Sequence, residues 1–137
     1  MTADPDCIFC RIVAGELPAT RIAEDERTLA FMDINPGTRG HALVIPKQHA
    51  ADLLDISAED LAACGAMARR IAVLQKERLG AAGVNVVNSC GAAAWQTVFH
   101  FHLHVIPRYP ADPLRLPWTP QPADPDDLRA VAEHLAG

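Results

Sequence analysis

The sequence predicts a single α+β domain with about five strands, one long helix and short helices near both ends. Three observations support this class. Short β-branched and apolar stretches alternate with turn signals, one long segment has helical spacing, and 137 residues, half of them apolar, suffice for one core but not two. We expect the domain to span residues 1–137, with a core at about 7–108 and a proline-rich arm at 109–137.

The first predicted elements are a short helix and three strands. Cys7 to Ala14 has the composition of a short amphipathic helix, and Gly15 closes it. Residues 21–23 and 28–33 form the two strands of a hairpin. Residues 41–45 contain a Leu-Val-Ile run that is apolar enough for a central strand.

A long helix follows these strands. Ser57 provides a capping hydroxyl, Asp60 occupies the third helical position, and Gly80 ends the helix after Leu79. Arg69 and the arginine after it are expected on its solvated face. The predicted buried stripe consists of Leu61, Cys64, Ala68, Ile71 and Leu79.

Two more strands and an arm complete the chain. Residues 84–87 and 98–106 are predicted strands, joined by a loop at 88–94. Residues 109–125 contain six prolines, which exclude a regular helix and favour an extended arm. Residues 126–135 are predicted to form a last short helix.

Composition narrows the classes of function. The formal net charge is −5 without a cluster of Lys or Arg, so no nucleic-acid partner is expected. Residues 1–6 lack a basic or apolar targeting region, and no stretch is long and apolar enough to span a bilayer, so we expect a cytoplasmic protein without a membrane partner. No disulfide framework is expected, because cytosolic thiols stay reduced. We expect structural roles for Cys64, inside the predicted long helix, and for Cys90, in a loop without an evident partner.

The most informative stretch is residues 100–106, His-Phe-His-Leu-His-Val-Ile. In a strand, this alternation places His100, His102 and His104 on one face, towards a cleft, and the apolar residues between them on the other. Imidazole serves as nucleophile, acid, base or metal ligand near neutral pH, so the pattern indicates group transfer or metal binding. A single histidine would more often be an ordinary surface or core residue, and metal-capture tracts lack this apolar alternation.

The Cys7 and Cys10 pair is a second motif. The spacing lets both thiolates reach one zinc ion from a turn or helix start. Two ligands do not close a structural site. Two buried thiols or a redox pair are the alternatives, although no thioredoxin-like context accompanies the pair.

These motifs resemble the histidine triad (HIT) superfamily, and most closely its Hint branch of nucleotide hydrolases. Residues 100–106 fit the pattern His-φ-His-φ-His-φ-φ, with φ apolar, at every position. Short segments similar to that family occur in the same order along the chain, from about Cys7 to Arg108: Cys7-Ile8-Phe9-Cys10, residues 31–36, residues 40–47 and Gln96-Thr97-Val98.

The resemblance implies a HIT-like fold with an antiparallel sheet, a homodimer, and covalent catalysis. His102 would attack the α-phosphorus of a purine nucleoside monophosphate derivative and form a nucleotidyl-histidine intermediate. His104 would contact the phosphate or the departing atom, and His41 would orient an imidazole of the triad. His100 would belong either to the catalytic network or to a metal site.

The resemblance also implies the substrate contacts. Asp33 resembles the carboxylate that binds the ribose hydroxyls, with a turn-capping aspartate as the alternative. Asn88, Gln96 and Thr97 resemble the family's phosphate donors, with loop capping as the alternative for the two amides. Trp95 departs from the glycine common at that position, which affects loop shape and leaving-group access. Four residues resemble the family's apolar base pocket, with plain core residues as the alternative: Phe9, Phe31, Ile34 and Leu43.

The implied cofactor is a structural zinc, with no organic cofactor. The resemblance to relatives that have such a cysteine pair implies that His49 and His100 complete the ligand set of Cys7 and Cys10. The implied activity is phosphoramidate hydrolysis. Dinucleoside polyphosphate hydrolysis is the nearest alternative, and a nucleotide-binding protein without catalysis is another. Nucleotidyl transfer is disfavoured, because the branch of the family with that activity resembles a pattern that has Gln at the last histidine position, where this chain has His104.

Overall fold

The structure, a computed structural model, describes residues 3–137, and its centre is an antiparallel sheet. Residues 1 and 2, which belong to the segment considered for targeting, lie outside the described residues. Within residues 3–137 the sheet has five strands in the order β1-β2-β3-β5-β4. The strands are β1 Arg21–Glu24, β2 Thr28–Met32, β3 Ala42–Pro46, β4 Gly83–Val87 and β5 Leu103–Arg108.

Three α-helices lie in the same described range: α1 Ile8–Val13, α2 Ala58–Leu79 and α3 Pro125–Ala136. The predicted cap of the long helix is present, since Ser57 Oγ accepts the N–H of Asp60 at 3.1 Å. Gly80 ends α2 in the left-handed conformation, with φ of 68°. The predicted α+β class is therefore confirmed. Most strand and helix ends lie within two residues of the predicted ends.

The central strand β3 is apolar throughout, and its neighbour β2 is apolar after Thr28, because both faces of the sheet are covered. On one face, α2 packs over Ala30, Val44 and Val105. On the other face, α1 packs over Phe31 and Leu43. Successive residues of β2 and β3 thus enter different cores, which explains the continuous Leu-Val-Ile run in the sequence.

The predicted buried stripe of α2 needs one correction. Leu61 is 36% exposed, whereas its neighbour Asp60 is buried. Asp60 takes the inward position because Arg27 Nη1 donates to its carboxylate at 2.8 Å. Further along the same stripe, Gln75 is also buried, and its Nε2 donates to the carbonyls of Gly40 and Val105.

The fifth strand starts five residues later than predicted. β5 begins at Leu103, so the segment 98–102 makes no ladder with β3 or β4. The backbone of this segment bonds elsewhere: the N–H of Phe101 donates to the carbonyl of Ala50 at 2.7 Å. His100 and His102 therefore precede the strand, and His104 lies within it.

The C-terminal arm leaves the sheet after β5. Residues 109–124 contain no helix or strand, as their prolines predict. Asp124 caps α3 through a bond from the N–H of Asp126 at 3.2 Å, and the side chains of α3 are exposed. In the part of the chain that the structure describes, a helix with the length and apolar character needed to cross a bilayer is absent.

Trp95 carries a backbone conformation that favours glycine. Its φ is 74° and it is the one non-glycine residue with positive φ between residues 3 and 137. The left-handed conformation costs an L-residue about 1–2 kcal/mol. A glycine variant avoids this cost but loses more backbone entropy on folding, which offsets part of the gain. Because the indole is 68% exposed, its removal leaves no cavity.

We therefore expect Trp95→Gly to raise the free energy of unfolding by about 0.5 kcal/mol or more. Urea denaturation followed by circular dichroism measures this change. Trp118→Gly is the matched control, because Trp118 is 62% exposed and lacks the positive φ. A control variant stabilised as much as Trp95→Gly would contradict the backbone explanation.

Candidate active site and metal cluster

A cleft of about 260 Å³ opens between α1 and one face of the sheet. Its walls are mostly apolar, and its polar groups converge from the loop after β2, from β5 and from the segment before β5. The cleft brings together most of the predicted site residues: Phe9, Phe31, Asp33, Ile34, Leu43, Thr97, His102 and His104.

Sequence interpretation missed other residues of the cleft wall. Ile8 and Ile12 lie one helical turn apart on α1, beside Phe9. Their i, i+4 spacing in the first predicted helix is the sequence signal that could have placed both side chains on the helix face that lines the cleft. The remaining additional lining residues are Pro18, Ala19, Met32, Asn35 and Val98.

His102 presents one free ring nitrogen to the cleft. Its Nδ1 lies 2.8 Å from the carbonyl oxygen of His100. A carbonyl only accepts, so Nδ1 carries the proton and Nε2 keeps its lone pair. Phe9 packs edge-on against the ring, and burial lowers the pKa of His102, against the opposing effects of the His100 carbonyl and Asp33. The arrangement yields a neutral imidazole with an unprotonated Nε2.

His104 has the opposite tautomer because of His41. The N–H of Gly37 donates to His41 Nδ1 at 2.9 Å, which leaves the proton of His41 on Nε2. His41 Nε2 lies 2.9 Å from His104 Nδ1, so it donates to that atom. His104 therefore carries its own proton on Nε2. Burial, together with His102 and His41, lowers the pKa of His104 to about 4.

Asp33 lies beside this pair and lines the cleft. Its Oδ2 is 3.4 Å from His41 Nε2 and 3.9 Å from His104 Nδ1. Its Oδ1 accepts the N–H of Asn35 at 2.8 Å, which is the turn-capping contact considered from the sequence. Burial lowers the pKa of His41 although Asp33 opposes the shift. His41 donates its Nε2 proton to His104, and Asp33 lies within ion-pair distance of both rings, so these side chains pair with one another rather than forming an open set of metal ligands.

Gln96 fixes the loop before the histidines. It is 5% exposed, and its Oε1 accepts the N–H of Gly91 at 2.7 Å. Its Nε2 donates to the carbonyls of Ala51 and Val98 at 2.8 and 3.0 Å. Both ends of the amide are thus engaged by backbone, which is the loop-capping arrangement.

Unlike Gln96, Asn88 and Thr97 each have a side-chain polar atom that is not engaged in one of these hydrogen bonds. Asn88 Nδ2 donates to the carbonyl of His102 at 3.1 Å, and this contact supports the backbone of the triad segment. Thr97 is exposed at the cleft wall. Asn88 and Gln96 are absent from the cleft lining, so their contacts lie behind it.

A second cluster contains two thiols and two imidazoles. The Nδ1 atom of His100 lies 3.3 Å from Cys7 Sγ and 3.5 Å from Cys10 Sγ, and His49 Nδ1 lies 3.4 Å from Cys10 Sγ. All four ligand atoms fall within 4.8 Å of one another. In a tetrahedral zinc site with ordinary Zn–S and Zn–N bonds, neighbouring S and N ligands are about 3.5 Å apart. The donor set and its spacing therefore fit zinc.

His100 belongs to this cluster and not to the cleft. It is fully buried, and its Nε2 donates to the carbonyl of Pro46 at 2.8 Å, which leaves Nδ1 free to face the thiols. Burial lowers the pKa of His100 to about 4 and raises the pKa of the Cys10 thiol. The expectation that all three histidines face one cleft is wrong for His100, because the chain turns at this residue before β5 begins.

Comparisons with known proteins agree with this fold. The adenosine 5'-monophosphoramidase of Schizosaccharomyces pombe is 37% identical over 131 residues, which are 95% of this chain and 96% of that protein. A Streptococcus mutans protein of known structure has a TM-score of 0.93 at 37% identity, covering 98% of this chain and 85% of that one. A zinc-bound histidine triad family protein from Mycobacterium smegmatis has a TM-score of 0.78 at 46% identity, covering 96% of both chains.

A family model gives a further comparison. The HIT domain model matches residues 14–111, which include the sheet, the long helix and all three motif histidines. Both the sequence motif and the fold are therefore shared over most of the chain. The protein belongs to the histidine triad (HIT) family.

Proposed function

We propose that this protein hydrolyses phosphoramidates or related derivatives at the α-phosphate of a purine nucleoside monophosphate. The observation that carries the proposal is the pair of opposite tautomers in the cleft. His102 Nε2 offers a lone pair, and His104 Nε2 offers a proton. The similarity to an adenosine 5'-monophosphoramidase supports the choice of bond.

The reaction proceeds in two displacements. His102 Nε2 attacks the α-phosphorus, the P–N bond breaks, and the departing amine takes its electron pair and the proton of His104. Water then attacks the nucleotidyl-histidine, the Nε2–P bond breaks, and a proton of that water returns to His104. The products are a nucleoside monophosphate and a free amine. Splitting one difficult displacement into two is the advantage of covalent catalysis.

The remaining cleft residues bind the nucleotide in this proposal. Asp33 accepts hydrogen bonds from the ribose hydroxyls, and Thr97 donates to the phosphate. Ile34 is 90% exposed at the mouth of the cleft, where a base would cover it. Phe9, Phe31 and Leu43 form the apolar wall opposite. Such a slot holds a purine by size and stacking.

We further propose that Cys7, Cys10, His49 and His100 hold one structural zinc ion. The metal, when bound, would tie the amino-terminal helix to the segment that carries His102 and would leave the cleft histidines free. The spacing of the four donors and the zinc-bound relative from Mycobacterium smegmatis support this. Pairing into a homodimer stays a prediction, which light scattering at micromolar concentration tests.

His102→Ala should lower kcat for an adenosine phosphoramidate by roughly 10³-fold or more, because the covalent step is lost. Steady-state hydrolysis with matched circular dichroism measures this loss. His134→Ala, on the exposed helix α3, is the control and should retain full activity. A dinucleoside polyphosphate assayed in parallel tests the alternative hydrolase. Nucleotide binding without turnover of either compound by the wild type would favour the non-catalytic alternative.

The pH profile should reflect the lowered pKa of His102. Burial shifts that pKa below the ordinary value of 6.5, so Nε2 stays unprotonated at neutral pH. We expect kcat/KM to be level from about pH 8 down through the ordinary histidine pKa and to fall only at lower pH. An acid limb in the free-enzyme profile with a midpoint at or above that ordinary value would contradict the assigned environment.

Metal removal should destabilise the fold. We expect about one zinc ion per chain by elemental analysis, and a strong chelator should lower the Tm by roughly 10 °C, because the bound metal stabilises only the folded state. Cys10→Ser should lose the metal, whereas Cys90→Ser, in the loop outside the cluster, should keep it. A well-folded wild-type protein without zinc would count against the metal site.

A further inference from the structure

The start of the C-terminal arm forms a fixed turn centred on the carboxylate of Asp112. Arg108 Nε and Nη2 each donate to that carboxylate at 2.8 Å. The backbone N–H groups of Tyr109 and Leu114 donate to it at 2.8 and 3.1 Å. All the donors come from residues 108–114, so this short segment closes on itself around one buried charge.

The turn is also fastened to the sheet. The Asp112 side chain is 5% exposed, and Arg108 holds the pKa of this carboxyl well below its usual range. Arg108 Nη1 donates to Asn85 Oδ1 of β4 at 2.8 Å, and Nη2 donates to the carbonyl of Leu114 at 3.1 Å. Leu114 is therefore held at both its N–H and its carbonyl.

Leu114 lies directly against Gly37, the residue whose N–H binds His41. A methyl group added to the α-carbon of Gly37 would lie 3.2 and 3.3 Å from the two methyl carbons of Leu114. The same added methyl would lie 3.6 Å from His41 Nδ1. One leucine thus packs against the α-carbon of the residue whose N–H fixes the tautomer of His41.

Other contacts hold the rest of this loop to the same region. Thr38 Oγ1 donates to the carbonyl of Pro107 at 2.6 Å. Tyr109 Oη donates to the carbonyl of Arg39 at 2.7 Å. The loop before β3 is therefore attached to the end of β5 and the start of the arm, with Leu114 as its contact at Gly37.

We propose that Leu114, held in place by Arg108 and Asp112, is a positioning residue for the reaction. It keeps Gly37 where its N–H selects the Nε2-protonated tautomer of His41, which in turn directs the proton of His104 towards the departing group. This inference rests on the proposed function, because it concerns the proton donor of that reaction. The arm thereby contributes to catalysis without touching the substrate.

Leu114→Ala should lower kcat for the adenosine phosphoramidate about tenfold, with KM changed less than about twofold, because the proton donor and not the binding wall is disturbed. Leu116→Ala is the matched control, since Leu116 is 64% exposed in the same arm. Leu114→Met, which restores side-chain volume, should recover most of kcat. Equal losses in the Leu114 and Leu116 variants would overturn the proposal.

A double-mutant cycle tests the contact itself. Gly37→Ala should lower kcat in the wild-type background, because its new methyl presses on Leu114. The same change should cost clearly less in the Leu114→Ala background, where the space is open. Additive effects of the two substitutions would show that the residues are not coupled, and the proposal would fail.

Nitrogen-15 NMR of the imidazoles provides a readout without substrate. In the wild type His41 should show an unprotonated Nδ1 and a protonated Nε2, and in Leu114→Ala a mixture of the two tautomers. A tautomer shift in Leu114→Ala, together with a wild type that hydrolyses neither compound, would refute the proposed function and keep the positioning. Turnover in the wild type, with kcat and tautomer both unchanged in Leu114→Ala, would refute the positioning alone.

Discussion

The structure depends on the burial of one imidazole, that of His100. A fully buried polar ring must have partners for both nitrogens, since each unpaired group would cost on the order of 1–3 kcal/mol. Its Nε2 bonds Pro46 at the end of β3, and its Nδ1 faces Cys7 and Cys10 at the start of α1. Its carbonyl accepts the proton of His102 Nδ1. The same residue therefore joins the amino-terminal helix, the central sheet and the proposed nucleophile.

The position of the cleft follows from the way the helices cover the two faces of the sheet. α2 occupies one face, and α1, only six residues long, occupies part of the other. A short helix leaves apolar surface of β2 and β3 uncovered beside it, and that surface becomes the wall of the cleft. The core residues Phe31 and Leu43 thus serve packing and, in our proposal, base binding at once. The two interpretations that the sequence left open for them are compatible.

Local signals predicted the fold, and long-range bonds explain what they missed. Ser57 and Gly80 identified the ends of α2 because caps act within one turn of the helix. The start of β5 was misplaced because the alternation of residues 100–106 continues through a segment whose backbone bonds Ala50 instead of a strand. Leu61 was wrongly placed in the core because Arg27, distant in sequence, draws Asp60 inward. The engagement of Gln96 by Gly91, Ala51 and Val98 likewise requires the folded loop.

Backbone atoms assign different roles to chemically identical side chains in this cleft. A carbonyl, that of His100, makes His102 an acceptor, and an N–H, that of Gly37, makes His104 a donor through His41. Burial lowers the pKa of these rings, so both stay neutral and each tautomer is set by its hydrogen bond and not by the pH of the solution. Reversing either backbone contact would give two acceptors or two donors, and neither pair could supply both the nucleophile and the proton donor of the proposed reaction. The order of the triad in the sequence therefore matters less than the peptide groups against which each ring is held.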